Sequence, residues 1–367
     1  MRRIAACILA LVLMLGLTVP LGAAPVQVQS VTWESAMNRS LDWISNTVRQ
    51  PVVGSVGGEW AVLALARAGR IDAHDRWTQV WLADLNRTLT EVDRLQRSYD
   101  IHNPPSVGTF PASLRRWTDF QRVTLALSAL GLDAANHNGH DLTAVFSNYI
   151  PAQQRHALNQ TINVDTFALI ALNSMSYSGD IDDFIQSLIN AQRADGTWSL
   201  NPAAPVSAMD LDITAMALQA LAPHYDSGDA RVSDAVSRAL SWLHQQSFPD
   251  PEGTAQMIVA LTALGPSFAA EAAHYVNHLL RWFDGTSGGF SRPAPTDPVN
   301  LMATEQAAYA LVAYWRFVNN LAALYDMSDA FACASKPEAV VPDAPIVYKW
   351  VRNAFLPILP KFLPVYP

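Results

Sequence analysis

Two aspartates one residue apart, Asp210 and Asp212, open a segment with almost no polar side chains. Ala215, Met216, Ala217, Leu218, Ala220 and Leu221 follow, and Leu221, Ala222 and Pro223 close it. A carboxyl group in that setting has two uses. It can cap the helix, accepting the free N–H groups of the first turn, a role open to Ser207, Asp210 and Asp212 alike. Alternatively it can act as an acid, which requires a carboxyl held neutral yet strongly acidic beside a neighbour that orients its proton. The dipole at a helix start favours the anion over the acid.

Glu59, Asp119, Asp165, Glu252 and Glu305 occupy comparable places near the starts of other apolar segments. Capping again explains acids in a first turn. If those starts gather on one side of the molecule, the same acids also form a rim. Beneath it Trp60, Phe120, Phe167, Met216, Met257 and Tyr309 would line an apolar well, a concavity suited to an apolar or amphipathic small molecule. The two readings are compatible.

Other chemistries find less support. His274 and His278 are four residues apart on one helix face, but no third ligand has suitable spacing, so a solvated face is expected rather than a metal site. His137 and His140 read as a polar loop. There is no Gly-x-Ser-x-Gly, phosphate loop or dinucleotide fingerprint. Neither a metal nor a cofactor is expected.

The elements that must position these residues emerge from an internal repeat. Six segments share the buried-helix pattern: 60–69, 122–131, 165–173, 214–223, 254–266 and 305–314. Aligned on Leu65, Leu127, Leu169, Leu218, Leu261 and Leu311, they are spaced 62, 42, 49, 43 and 50 residues apart, a period that fits a helical hairpin. A helix apolar all round must be surrounded by others. Amphipathic candidates at 35–48, 76–95, 141–150, 181–192, 231–246 and 270–283 lie between or before them. In 231–246, for example, Val236, Leu240 and Leu243 fall on one face. Twelve alternating helices predict an all-α fold of six hairpins closed into an (α/α)6 toroid, because an open array would expose its terminal inner helices.

The ends are read separately. Arg2 and Arg3, an apolar run from Ile4 to Leu17 and the small residues before Ala24 predict a signal peptide over 1–23, hence a secreted or cell-surface protein. Its loss would take the net charge from −8 to −10, since two arginines and no acids leave. Such a balance disfavours nucleic acid as a partner. Cys7 would leave too, so Cys333 stands alone and the core must hold the fold without a disulfide. The toroid is expected over 31–329. Residues 330–367 read as a linker and a tail in which Pro357, Pro360, Pro364 and Pro367 forbid a helix. That tail is expected to lie extended on the domain or to serve cell-envelope association. The stretch 99–111 reads as a lid or a crossover.

Several motifs resemble a known superfamily. Gln192-Arg-Ala-Asp-Gly-Thr-Trp198 resembles the Gln…Gly…Trp repeat of squalene cyclases, and Asp210-Leu-Asp-Ile-Thr-Ala resembles the Asp-x-Asp-Asp-Thr-Ala motif of class II terpene cyclases. Gly58-Glu-Trp-Ala-Val-Leu-Ala-Leu-Ala-Arg-Ala-Gly and Met302-Ala-Thr-Glu-Gln-Ala-Ala-Tyr-Ala-Leu-Val-Ala-Tyr are similar to bacterial exported toroid domains related to the α-domains of intrinsic factor and transcobalamin. The resemblance spans roughly Trp33 to Asp329 and implies the toroid. It also implies either a carrier or a cyclase. A carrier would bring a cobalamin-type corrinoid into view, although those carriers clamp it against a β-rich domain that the residues after Asp326 are too few to supply. A cyclase would assign proton donation to Asp212, supported by Asp210, but the further Asp of the motif is Ile213 here. Protein prenyltransferases need a zinc held by Asp, Cys and His, and no Cys lies in an inner helix. The preferred expectation is a non-catalytic binding protein, with a cyclase-like enzyme and a structural or adhesive envelope module as alternatives.

Overall fold

The computed structural model describes residues 31–97, 114, 116–147, 161–175, 177–201, 203, 205–207, 209–333, 346–351 and 354–358. The signal segment, the 99–111 stretch and the linker therefore lie outside the described residues. The protein is all-α. Its helices are α1 (Trp33–Thr47), α2 (Glu59–Arg67), α3 (Arg76–Arg97), α4 (Trp117–Ala129), α5 (Asn163–Ser174), α6 (Asp182–Ala191), α7 (Met209–Leu221), α8 (Ala230–Leu243), α9 (Pro251–Leu264), α10 (Ala269–Leu279), α11 (Leu301–Val318) and α12 (Ser328–Cys333). No described helix is long and apolar enough to cross a membrane.

The helices predicted to be apolar on every side are the buried ones. In α9 every residue but Ala263 is buried, and in α4 eleven of thirteen are. Their alanines (Ala126, Ala168, Ala217, Ala260, Ala307) have no exposed surface and let neighbouring backbones approach. Helix α2 packs on α4, α4 on α5, α5 on α7, α7 on α9, α9 on α11, and α11 on α2. The amphipathic helices cover this set from outside: α1 on α11 and α2, α6 on α5, α8 on α7 and α10 on α9. Helix α3 sends Trp81, Leu85, Leu89 and Val92 into the same core.

One predicted helix is absent. Over 141–147 the chain forms a two-residue strand, β1 (His140–Asp141), and a short 3-10 turn at Thr143–Val145. Asn138 and Gly139 take left-handed conformations that reverse the chain, so that His137 pairs with His140. Asp141 then accepts from the N–H groups of Thr143 (3.0 Å) and Ala144 (3.1 Å), closing a local turn that competes with helix. The described tail residues, 346–351 and 354–358, are extended. Strand β2 (Ile346–Val351) pairs in parallel with β1 and antiparallel with β3 (Ala354–Ile358), which attaches the tail beside this turn.

The Gln…Gly…Trp motif is a clamp between hairpins. Gly196 has φ +94°, and a Cβ there would stand 2.5 Å from the Arg238 carbonyl oxygen. Gln192 donates to the carbonyls of Gly196 (2.9 Å) and Ala235 (2.8 Å). Trp198 is fully buried, its indole N–H donates to Leu188 O at 2.7 Å, and its backbone N–H donates to Thr214 Oγ1 at 3.1 Å. Phe290 repeats the last device on Thr304, at 2.9 Å. We expect Gly196→Ala to destabilise the protein by about 2–4 kcal/mol, combining a strained φ with a backbone clash. Trp198→Ala should cost about 3–5 kcal/mol. Urea unfolding of both variants measures this, and wild-type midpoints would contradict the clamp.

Candidate functional site

A cavity of about 250 Å³ opens where the first turns of the buried helices meet. Trp60, Phe167, Met216 and Tyr309 line it, with Met302 and Val56 adding to its apolar wall. Trp60 is the centrepiece: its ring lies 5.9 Å from those of both Phe167 and Tyr309, and its indole N–H donates to Ser55 Oγ at 3.1 Å. Of the expected lining, Phe120 and Met257 belong elsewhere, since both are fully buried in the core.

The acids near the helix starts are occupied with backbone N–H groups, a serine hydroxyl and arginines. Glu59 accepts from the N–H groups of Gly54 (3.1 Å) and Ser55. Asp119 accepts from Arg116 N at 2.7 Å and from Arg122 Nη2 at 2.8 Å. Asp165 accepts from Ser187 Oγ at 2.6 Å. Asp210 accepts from Ser207 N at 2.9 Å and from Arg193 at 3.3 Å. Glu252 pairs with Arg292. Glu305 accepts from Gly57 N at 2.8 Å through one oxygen, while its other oxygen is buried with no hydrogen-bond partner among the described residues. All of these acids are buried. None of them, nor Asp212, lines the cavity.

Burial raises four of these carboxyls, Glu59, Asp212, Glu252 and Glu305, above their ordinary range. Desolvation, then the neighbouring Asp250 and Glu252, raises Asp212 to about 7 against the opposing charge of Arg292. The helix dipole that favours its anion is outweighed. Glu305 is raised to about 8 by desolvation, with Glu59 adding to it and the Gly57 N–H opposing. Gly253 makes room for Asp212: a Cβ there would come within 2.9 Å of its Oδ1.

Motif reading missed the polar half of the wall. Ser55, Thr118, Arg122, Asn163, Gln256 and Gln306 line the cavity, with Tyr325 as a further wall residue. Gln256 Nε2 donates to Gln306 Oε1 at 2.8 Å and to the Tyr309 hydroxyl, and Gln219 Nε2 donates to Gln256 Oε1 at 2.9 Å. Asn163 Oδ1 is buried with no partner among the described residues. The signal was present, because an amide in a helix with no wet face must find its partners inside. Arg122 is the one charged residue of the lining, and it is already balanced, by Asp119 and by Glu59 at 3.7 Å.

The paired histidines serve as packing. His278 bonds the Phe248 carbonyl oxygen at 2.9 Å and His274 sits edge-on to Tyr275. His137 bonds Asn86 at 3.0 Å and is pushed down to about 4 by burial. Among the described residues no group of three or more His, Cys, Asp or Glu side chains is disposed to hold a metal.

No family model matches the chain, and no curated protein matches it. It is similar to a solved structure of a protein from Actinoplanes at 14% identity and a TM-score of 0.42, over 78% of this chain and 100% of that one.

The raised carboxyls make stability fall with pH. Asp212 and Glu305 hold protons in the folded state between their ordinary carboxylate range and about 7 and 8 respectively. The unfolded chain has released those protons, so stability is greatest below pH ~4 for these groups and is lost as pH rises through their folded values. Each contributes on the order of 1–3 kcal/mol, at 1.36 kcal/mol per unit discounted for residual solvent. Glu305→Gln and Asp212→Asn should each lose less stability than wild type between pH 5 and pH 9 in thermal melts. A wild-type pH slope in both variants would refute the assignment.

Proposed function

We propose that the protein is an exported, single-domain (α/α)6 toroid that binds an uncharged apolar or amphipathic small molecule at the mouth of its ring, without chemistry. The contact of α11 with α2, which links the last buried helix to the first, supports the toroid reading. The observation that carries the binding role is the cavity wall. Trp60, Phe167, Met216 and Tyr309 offer an apolar surface, while Asn163, Gln256 and Gln306 offer amides that fix orientation. With Arg122 already paired to Asp119 at 2.8 Å, the wall presents no uncompensated charge, and a charged ligand would be desolvated without a counter-ion. Carriage of a short uncharged isoprenoid fits this wall better than a corrinoid, because a cavity of about 250 Å³ has room for only about eight non-hydrogen atoms at roughly 30 Å³ each.

Isothermal calorimetry with prenol, octanol and cobalamin tests the reading. Binding of either alcohol should quench or shift tryptophan fluorescence, and Trp60→Ala should weaken it at least about tenfold, the equivalent of 1.4 kcal/mol. Absence of both heat and a thermal shift with all three would count decisively against a carrier.

A further inference from the structure

A second cavity, of about 290 Å³, lies further along the same helices, lined by Ile170, Asn173, Gln219, Val259, Ala263 and the segment 323–326. The helical repeat places it directly below the first. Phe167, Met216 and Gln256 line the first cavity, and Ile170, Gln219 and Val259, each three residues on, line the second. At 1.5 Å of rise per residue, three residues amount to about 4.5 Å along each helix. The two hollows are therefore stacked one helical turn apart between the same helices, and one residue, Tyr325, borders both.

Tyr325 comes from outside the helices. It sits in the segment that follows α11, and that segment is fastened by two buried arginines. Arg67, at the end of α2, donates to the carbonyls of Leu324 (3.0 Å), Ala323 (2.9 Å) and Asp326 (2.7 Å). Arg316, near the end of α11, donates to Ala322 O at 2.7 Å and to Arg67 O at 2.9 Å. Asp329 pairs with both guanidinium groups. The ring held in this way keeps some accessible surface although protein encloses it, because both hollows reach it.

We propose that Tyr325 partitions what would otherwise be one continuous passage, and that it thereby sets the length of the molecule the upper chamber accepts. The inference rests on the binding role proposed above. The upper chamber alone has room for about eight non-hydrogen atoms, at roughly 30 Å³ each. Joined to the lower chamber it would hold about twice that.

Linear primary alcohols from hexanol to hexadecanol, uncharged and with a single hydrogen-bonding head, are the probe, read by calorimetry on the full chain. Wild-type affinity should rise roughly fourfold per added methylene and then stop rising near octanol. In Tyr325→Ala the rise should continue for several more carbons, giving at least a hundredfold gain for dodecanol over wild type. Tyr325→Phe should keep the wild-type limit. If Tyr325→Ala does not fold, Tyr325→Val carries the same comparison. Wild-type binding with an unmoved limit in the folded small-residue variant would overturn the inference and leave the binding role standing. No alcohol binding by wild type would overturn both.

Discussion

Six helices in this chain have almost no face that tolerates water, and the remainder of the architecture follows from hiding them. Each must be enclosed by neighbours, and each has two neighbours of its own kind, α2 being met by α4 on one side and α11 on the other. Alanines at the contacts bring the backbones close, and the amphipathic helices complete the cover. At roughly 25 cal/mol per Å² of apolar area, such burial is the main favourable term in folding, and no disulfide among the described residues is needed to assist it.

Burying the helix starts has an electrostatic consequence. First-turn carboxylates are ordinarily at ease in water, where the helix dipole also favours them. Here the surrounding helices remove the water, and each acid needs another partner. Asp119 and Asp210 obtain backbone N–H groups and an arginine nearby, and Glu59 has the same kinds of partner, yet burial still raises it. Glu305 has one N–H for two oxygens, and Asp212 faces Asp250 and Glu252, so protonation becomes the cheaper solution for both. The same desolvation leaves the nearby cavity wall with a single, already balanced charge.

At the far ends of α2 and α11 two arginines organise a loop. Arg67 and Arg316 gather carbonyl oxygens from the 322–326 segment, and Asp329 compensates part of their charge. Removing one partner of such a cluster typically costs 3–5 kcal/mol, so the segment is held firmly and with it the position of Tyr325. The loop that follows α11 is thus brought against both hollows.

The helices were legible because their information is local. Leu65, Leu127, Leu169, Leu218, Leu261 and Leu311 mark runs whose apolar character forces burial whatever surrounds them, and Pro223 ends one of them at the expected place. The lining residues Trp60, Phe167, Met216 and Tyr309 could be read from the same runs. What failed was decided by short-range competition or by distant partners. The segment after His140 has an amphipathic pattern, yet Asp141 closes a turn on Thr143 and Ala144 before a helix can form. Sequence alone determined which helices must be inside and that acids stand at their starts, because periodicity and capping act within a few residues. Only the tertiary structure decided that those acids turn away from the hollow, that Gln256, Gln306 and Asn163 turn toward it, and that Tyr325 borders both chambers. Those outcomes depend on which side chains, hundreds of residues apart, are left to compete for the same desolvated space.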